Sequence, residues 1–567
     1  MDYIDNIEIK SRPLYQGLIA TATVAAVFAA IAAVLLIANA YHIQKTAPQK
    51  ATQLSDMQKQ FDLRPNDEAL AGQIRGLDAQ IRRDELRRQY FGHAGAIYLV
   101  ASLLAAVGSF AGARLMLSPA PTIPTQPVCS GETIARAMQI RTVTTVVCAV
   151  IGAVALFAIL RESMTGKPAV SVDWAQQVTG QWPSFRGAWG SGVAEVKDIP
   201  AQWNEKENKN ILWKSAVPLA SNGSPVIWGD KIFLSGATKD EQKIFCYHAK
   251  DGKLLWTGAV KPSGTEGRTP PDIMEDTGFA SSTPVTNGRA VCVIFATGDI
   301  GCFTMDGKVW WQKALGIPES TYGYAASLAV FDNLVIVQFD QGHEEGLSEM
   351  IAIHLNDGKL AWRIKRPTPN TWTTPTVVKT EKGYRILASG NPWVIAYETT
   401  GKELWKASCL GTDIAPTQIY SAGLVLAIQP YDKIYAIRMD NAGGDVTEAA
   451  MAWQTQGDMP DICSPVSDGK LVWTLTTNGG LSCFDLADGK EIYKQALEGE
   501  FHASPSVVGD TLYILERKGL MIISQLGREY KEITRCTIEE ECFASPAFTE
   551  GRIYLRSTKS LYCIGQK

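Results

Sequence analysis

The chain has 567 residues and a formal net charge of −4. That length exceeds one ordinary domain, and the nearly balanced charge excludes a polybasic nucleic-acid binder, so nucleic acid is not an expected partner. The average composition conceals a break near residue 165, with long uncharged apolar runs before it and short strands punctuated by glycine turns after it.

Gln16–Tyr41, Ala94–Ala113 and Thr142–Leu160 contain no charged residue. Each is near the ~20 residues a helix needs to cross the hydrocarbon of a bilayer. The expectation is an α-helical membrane region with three transmembrane helices, in segments 1–41, 93–117 and 140–161. The alternative for the first run is a cleaved signal sequence, because Ala38-Asn39-Ala40 resembles a cleavage site, although signal cores are usually shorter. Residues 42–92 are polar. Leu70, Ile74, Leu77 and Ile81 recur at helical spacing there, which predicts a helical hairpin segment. Residues 118–139, with SPAPTIPTQP, are too rich in proline for a regular helix or central strand and read as an extended loop.

A linker and lead-in, 162–210, precede a repeat that fills 211–567. One anchor is a small residue followed by proline at the entry to a strand: Pro225, Pro284, Pro375, Pro416, Pro465, Pro505 and Pro546, with Ser327 fitting the series without proline. Another is an Asp-Gly-Lys or Thr-Gly-Lys turn followed by an aromatic residue: KDGKLLW, MDGKVWW, NDGKLAW, TTGKELW and ADGKEIY. Asp-Gly between alternating strands is a hairpin signal, because glycine accepts the positive φ of a tight turn. A period of about 40–45 residues with four strands per unit is that of a propeller. Eight units follow, the last of which lacks its outer strand. NILWKSAVP around Trp213 supplies that strand from the other end, closing the ring without an open edge.

The unit, together with WPSFRGAWGSGV at 182–193, resembles the PQQ-like (pyrroloquinoline-quinone) propeller repeat, over about two-thirds of the chain. The resemblance implies an all-β eight-bladed propeller of quinoprotein type, with the repeated aromatics wedged between blades: Trp213, Trp256, Trp311, Trp362, Trp405, Trp453, Tyr493 and Tyr530. The family contains PQQ- and Ca²⁺-dependent dehydrogenases and also non-enzymatic, BamB-like binding propellers. Dehydrogenases of the first kind typically carry an adjacent Cys-Cys pair, which is absent here. Asp272, Glu275 and Asp276, and the stretch 340–346, are the densest acidic clusters, and both read as solvated loops rather than a Ca²⁺ site. No catalytic residue, metal site or cofactor is therefore expected, with PQQ plus Ca²⁺ the disfavoured alternative.

Cys246, Cys302, Cys483 and Cys563 occupy a third-strand slot that holds Ala352, Ala396 and Ala436 in sister units, which reads as packing by a small apolar side chain. Cys536 and Cys542 flank a turn and are left open as a pair. Asp299, Asp340, Asn391, Tyr431, Glu516, Arg517 and Arg556, at the ends of second strands, are the candidate funnel or partner-facing residues. Family precedent places the propeller in the periplasm of a bacterium, on a multi-pass inner-membrane protein. The nine Lys and Arg of residues 42–92 and the unpaired cysteines point the other way. The reading is a membrane-anchored interaction or assembly module whose partners are the membrane and other membrane or periplasmic proteins. A quinoprotein dehydrogenase and a small-ligand sensor are the alternatives.

Overall fold

The computed structural model describes residues 7–9, 15–34, 99, 102–113, 117–119, 173–411, 413–440 and 443–566. It divides into two compact units, Met1–Thr165 and Gly166–Lys567.

In the first unit, Tyr15–Val34 forms the one described helix long and apolar enough to cross a membrane. Its threonines return their hydroxyls to the backbone, Thr21 to the Gly17 carbonyl and Thr23 to that of Ile19, both at 2.9 Å. Neither threonine hydroxyl then needs a partner outside the helix. Leu18 packs on Gly112 of a shorter apolar helix, Ser102–Ala113, the described part of the second expected span. The third span, the polar segment 42–92 and nearly all of the 118–139 loop lie outside the described residues. The start of that loop was not expected to pair, yet Leu117–Pro119 runs antiparallel to Ile7–Ile9.

The second unit is a ring of eight sheets. Blades 1 to 7 span 226–259, 285–314, 329–365, 376–408, 419–456, 466–496 and 506–537. Blade 8 combines 547–565 with Ile211–Ala216, which pairs antiparallel with Ser560–Gly565. The eightfold count and the closure by an N-terminal outer strand therefore stand as expected. Two blades carry an extra parallel strand, Gly444–Asp445 on the outer edge of blade 4 and Val193–Ala194 on the inner edge of blade 7.

The repeated turn and the repeated tryptophan belong to one contact. Gly401 has φ +86°, and a Cβ there would lie 2.8 Å from the Trp362 indole of the preceding blade. Glycine is thus required twice at this turn, by conformation and by the ring lying on it. Gly252, Gly307, Gly358 and Gly489 meet Trp213, Trp256, Trp311 and Trp453 in the same way. Those five indoles and that of Trp405 donate to a backbone carbonyl of the next blade at 2.8–3.2 Å, which satisfies the one polar atom of an otherwise apolar contact.

Blade 6 uses Tyr493, whose hydroxyl accepts from the Trp473 indole at 2.8 Å. Tyr530 is corrected. In blade 7 Thr534 stands opposite Ile523 in the aromatic slot, while Tyr530 lies in the turn, its ring 6.4 Å from that of Tyr493. Tyr530 thus receives the aromatic of blade 6 instead of wedging against blade 8. The lead-in repairs the resulting gap. Trp203 is buried with its amide on Cys536 Sγ at 3.4 Å, Asn204 bridges Thr537, and Glu205 takes Lys214 at 2.9 Å and the Tyr562 hydroxyl at 3.1 Å.

Candidate functional site: the loop face of the ring

The innermost strands are tied together by a belt of hydroxyls. The backbone N–H groups of Ser224, Thr283, Ser327, Thr374, Thr417, Ser464 and Ser504 each donate to the Ser or Thr hydroxyl at the same position of the next blade, all at 3.0 Å. This is the reason for the small polar residue before proline in the repeat. In blade 5 the belt residue is Thr417, so Pro416 stands one place before the position that the other prolines follow.

One end of the channel inside this belt is closed. Trp182 bridges Ile227 of blade 1, and the Pro183 carbonyl accepts from Thr286 of blade 2 at 2.9 Å. Gly190 lies against Thr376 of blade 4, and Arg186 donates to the Pro505 carbonyl of blade 7 at 3.1 Å. Burial pushes the Arg186 guanidinium down to about 9. A void of about 10 Å³ remains under Phe185, Ala188, Leu328 and Thr374, enough for a single water. The helix Trp174–Val178 lies on the turns of the same end. Trp174 packs on Trp228 and Phe331 at centroid distances of 6.4 and 6.3 Å. Lys379 and the Tyr384 hydroxyl hold the Asp173 carboxylate, in that order, below its usual range.

The opposite end, built from the loops between blades and between second and third strands, is chemically distinct. Those loops carry twenty Asp and Glu against seven Lys and Arg, whereas the turns of the closed end carry fourteen against ten. Met274, Ile317, Leu347, Tyr431 and Ile462 are exposed on this loop face, Tyr431 by 72%. Tyr431 has φ +64°, rare for a bulky residue, and its hydroxyl donates to Asp461 at 3.0 Å. Arg517 stacks on Phe543 at 5.2 Å and pairs with Glu500 at 2.8 Å and Glu541 at 3.4 Å. His502 reaches Glu500 at 2.7 Å. His502 and Arg517 together hold the Glu500 carboxyl below its usual range.

Of the seven funnel candidates, Tyr431 and Arg517 are accessible on this face and Asn391 is half-buried in a cis peptide with Pro392. The other four are corrected to buried positions, because the inter-blade loops and neighbouring blades fold over them. Asp299 binds Arg268 at 2.5 Å and Thr297 at 2.7 Å. Asp340 is enclosed with Arg366 at 2.7 Å. Glu516 accepts from the Lys518 amide at 2.7 Å, and Arg556 donates to the Ser235 and Leu219 carbonyls at 2.6 and 3.0 Å. Sequence reasoning missed Ile462, His502 and Phe543. Their one signal is their place two residues before the belt serine.

Among the described residues no three His, Cys, Asp or Glu gather as a metal-binding group. The donor set does not fit PQQ with Ca²⁺: Asp299 is already engaged by Arg268, and there is no adjacent cysteine pair. Burial raises the thiols of Cys246, Cys409, Cys463, Cys483, Cys542 and Cys563 to about 12, which makes them inert. Cys536 and Cys542 are not paired. Cys302 is not merely packing: the antiparallel register sets it directly across from Cys292, and the two form a disulfide.

The family model described as outer membrane protein assembly factor BamB matches residues 194–363 and 432–526. The match covers a little under half of the chain, and the ring as a whole is an eight-bladed propeller similar to that family. The outer membrane protein assembly factor BamB of Yersinia pestis is 24% identical over 361 residues, covering 59% of this chain and 82% of that protein. Among solved structures, a europium-containing methanol dehydrogenase superposes with a TM-score of 0.52 at 12% identity, covering 67% of this chain and 90% of that one. A quinohemoprotein alcohol dehydrogenase from Comamonas testosteroni gives 0.50 at 12% identity, covering 70% and 83%. At that identity the two dehydrogenases share the fold alone with this chain. Blade 4 lies in the stretch between the two matched segments, yet keeps its Thr-Gly-Lys turn and Trp405.

Proposed function

We propose that the chain is a non-catalytic assembly module: a BamB-like propeller, anchored by three membrane spans, that docks a basic partner protein on its loop face within a membrane complex. The observation that carries this reading is the contrast between the two ends of the ring. One is closed by the chain's own lead-in, and the other is acidic and studded with exposed apolar side chains. Exposed apolar groups rimmed by charge mark interaction surfaces, and complementary charge sets the choice of partner and the rate of encounter.

The test is affinity capture of the full chain from native membranes, beside a variant carrying Glu344→Lys, Glu345→Lys and Asp461→Lys. The variant is expected to recover the partner at least ~10-fold less well at an unchanged Tm, and capture should weaken with salt. Equal recovery overturns the assignment of the loop face. Substrate-dependent dye reduction after loading with PQQ and Ca²⁺ would overturn the non-catalytic reading.

The Cys292–Cys302 disulfide supports a periplasmic propeller, since such bonds persist in oxidising compartments. Protein denatured from cells without reductant should therefore alkylate at two fewer cysteines than reduced protein, both within the peptide 290–304. Full alkylation would place the propeller on the cytoplasmic side.

A further inference from the structure

The outer strands of the ring are not alike. Two residues before each outer aromatic, blades 1, 2 and 3 carry Leu254, Val309 and Leu360, exposed by 41, 55 and 53%. The corresponding residues of blades 4 and 6 are Glu403 and Glu491. Leu255 and Trp310, each 42% exposed, widen the apolar strip in blades 1 and 2. Directly before these residues stand the turn lysines Lys253, Lys308 and Lys359. Lys308 and Lys359 have side chains 80% exposed and contact only the aspartates of their own turns, at 3.1 and 3.0 Å. Such pairs contribute little in water and leave the ammonium groups able to turn elsewhere.

Lysine beside leucine, valine and tryptophan at the same place in three successive blades is the composition of a surface seated at a bilayer interface. The aliphatic and indole groups enter the headgroup boundary there, and the ammonium groups meet lipid phosphates. The rim borders the turns between third and fourth strands, at the closed end of the ring. Asp173 and the helix Trp174–Val178, the first described residues of this unit, lie on that same end. The first described residues of the propeller unit thus lie on the side of the rim, and a tether attached there raises the effective concentration of the rim at a membrane.

We propose that the turn-end rim of blades 1–3 rests on the lipid headgroups of the membrane that anchors the chain, which turns the acidic loop face away from the bilayer toward its partner. This rests on the anchoring given under Proposed function. The test is the full chain with a photo-crosslinking benzoylphenylalanine at Trp310, in vesicles of phosphatidylethanolamine and phosphatidylglycerol, with the same substitution at Ile533 of blade 7 as control.

The Trp310 variant is expected to give a lipid adduct by mass spectrometry at least several-fold more abundant than the Ile533 variant. Equal yields at both sites, no lipid adduct, or a chain-to-chain adduct overturn the proposal, the last marking a self-interface. An unchanged Tm for both variants guards against misfolding. An alkaline wash of the vesicles separates the two ideas. If the washed chain no longer floats with lipid, the anchoring itself has failed. If it floats without a Trp310 adduct, only the rim assignment has.

Discussion

Replacing Trp405 with alanine is expected to cost the propeller about 3–5 kcal/mol, the range for deleting a large buried aromatic without collapse of the site. Trp405 is 2% exposed and donates to the Met439 carbonyl at 2.9 Å. It is packed among Leu410, Ile414, Val446 and Ala450, and the added strand Gly444–Asp445 pairs alongside it. The mutation leaves a cavity that these side chains cannot close, since the inserted segment 443–450 is held on the blade through the same contact. Trp256 is only half-buried, so its alanine variant should cost less. Urea midpoints for the two variants check this. A Trp405→Ala loss no larger than that of Trp256→Ala would mean that the inserted strand contributes no enclosure. Protease sensitivity of Trp405→Ala is expected to rise first within 439–450.

The contact at Trp405 shows which part of the fold was legible in the sequence. The turn glycine, the aromatic four residues later and the small residue of the facing strand are local in sequence and recur in five of the eight blades, so their spacing, with the strand-entry prolines, counted the ring. Ala396 opposite Trp405 and Cys563 opposite Trp213 are the same slot in different blades. Blade 7 is misread because its turn departs from the repeat: Tyr530 follows Gly527 by three residues and not four, Thr534 takes the slot opposite Ile523, and Tyr530 faces the other neighbour. The closed end was not legible. Residues 182–194 touch blades 1, 2, 4 and 7 through contacts up to 319 residues distant, and no period announces such pairs. Gly187, Gly190 and Gly192 were the available trace, since each has positive φ and lets the segment lie close on its neighbours. The funnel residues were misplaced for a related reason. A polar residue at a strand end looks like surface until the loop covering it is known, and 260–284 and 366–375 supply Arg268 and Arg366 for that purpose.

The Asp340–Arg366 pair gives the second large expectation. Arg366 donates to Asp340 in bidentate fashion at 2.7 and 3.2 Å, to the Tyr397 hydroxyl at 3.3 Å and to the Ser389 carbonyl at 3.2 Å. Burial alone would push the guanidinium pKa down, but Asp340 and Tyr397 outweigh it and raise the pKa, so the cation is retained inside the protein. Thr371 and Gln338 complete the shell of Asp340 at 2.6 and 2.7 Å. Asp340→Ala removes the one carboxylate among the described residues that pairs with a side chain that is 0% exposed, and a buried charge stripped of its partner costs about 3–5 kcal/mol. Asp340→Asn keeps a hydrogen-bonding oxygen but not the charge, and should fall between wild type and Asp340→Ala. The decisive comparison is Asp340→Ala with Arg366→Met. Removing both charges abolishes the uncompensated cation, so the double variant should regain most of the stability lost by the single one, as read from the urea midpoint at neutral pH. If it is as unstable as Asp340→Ala, the loss comes from packing around residue 340, and the pair is not what joins the loop 366–375 to the ring.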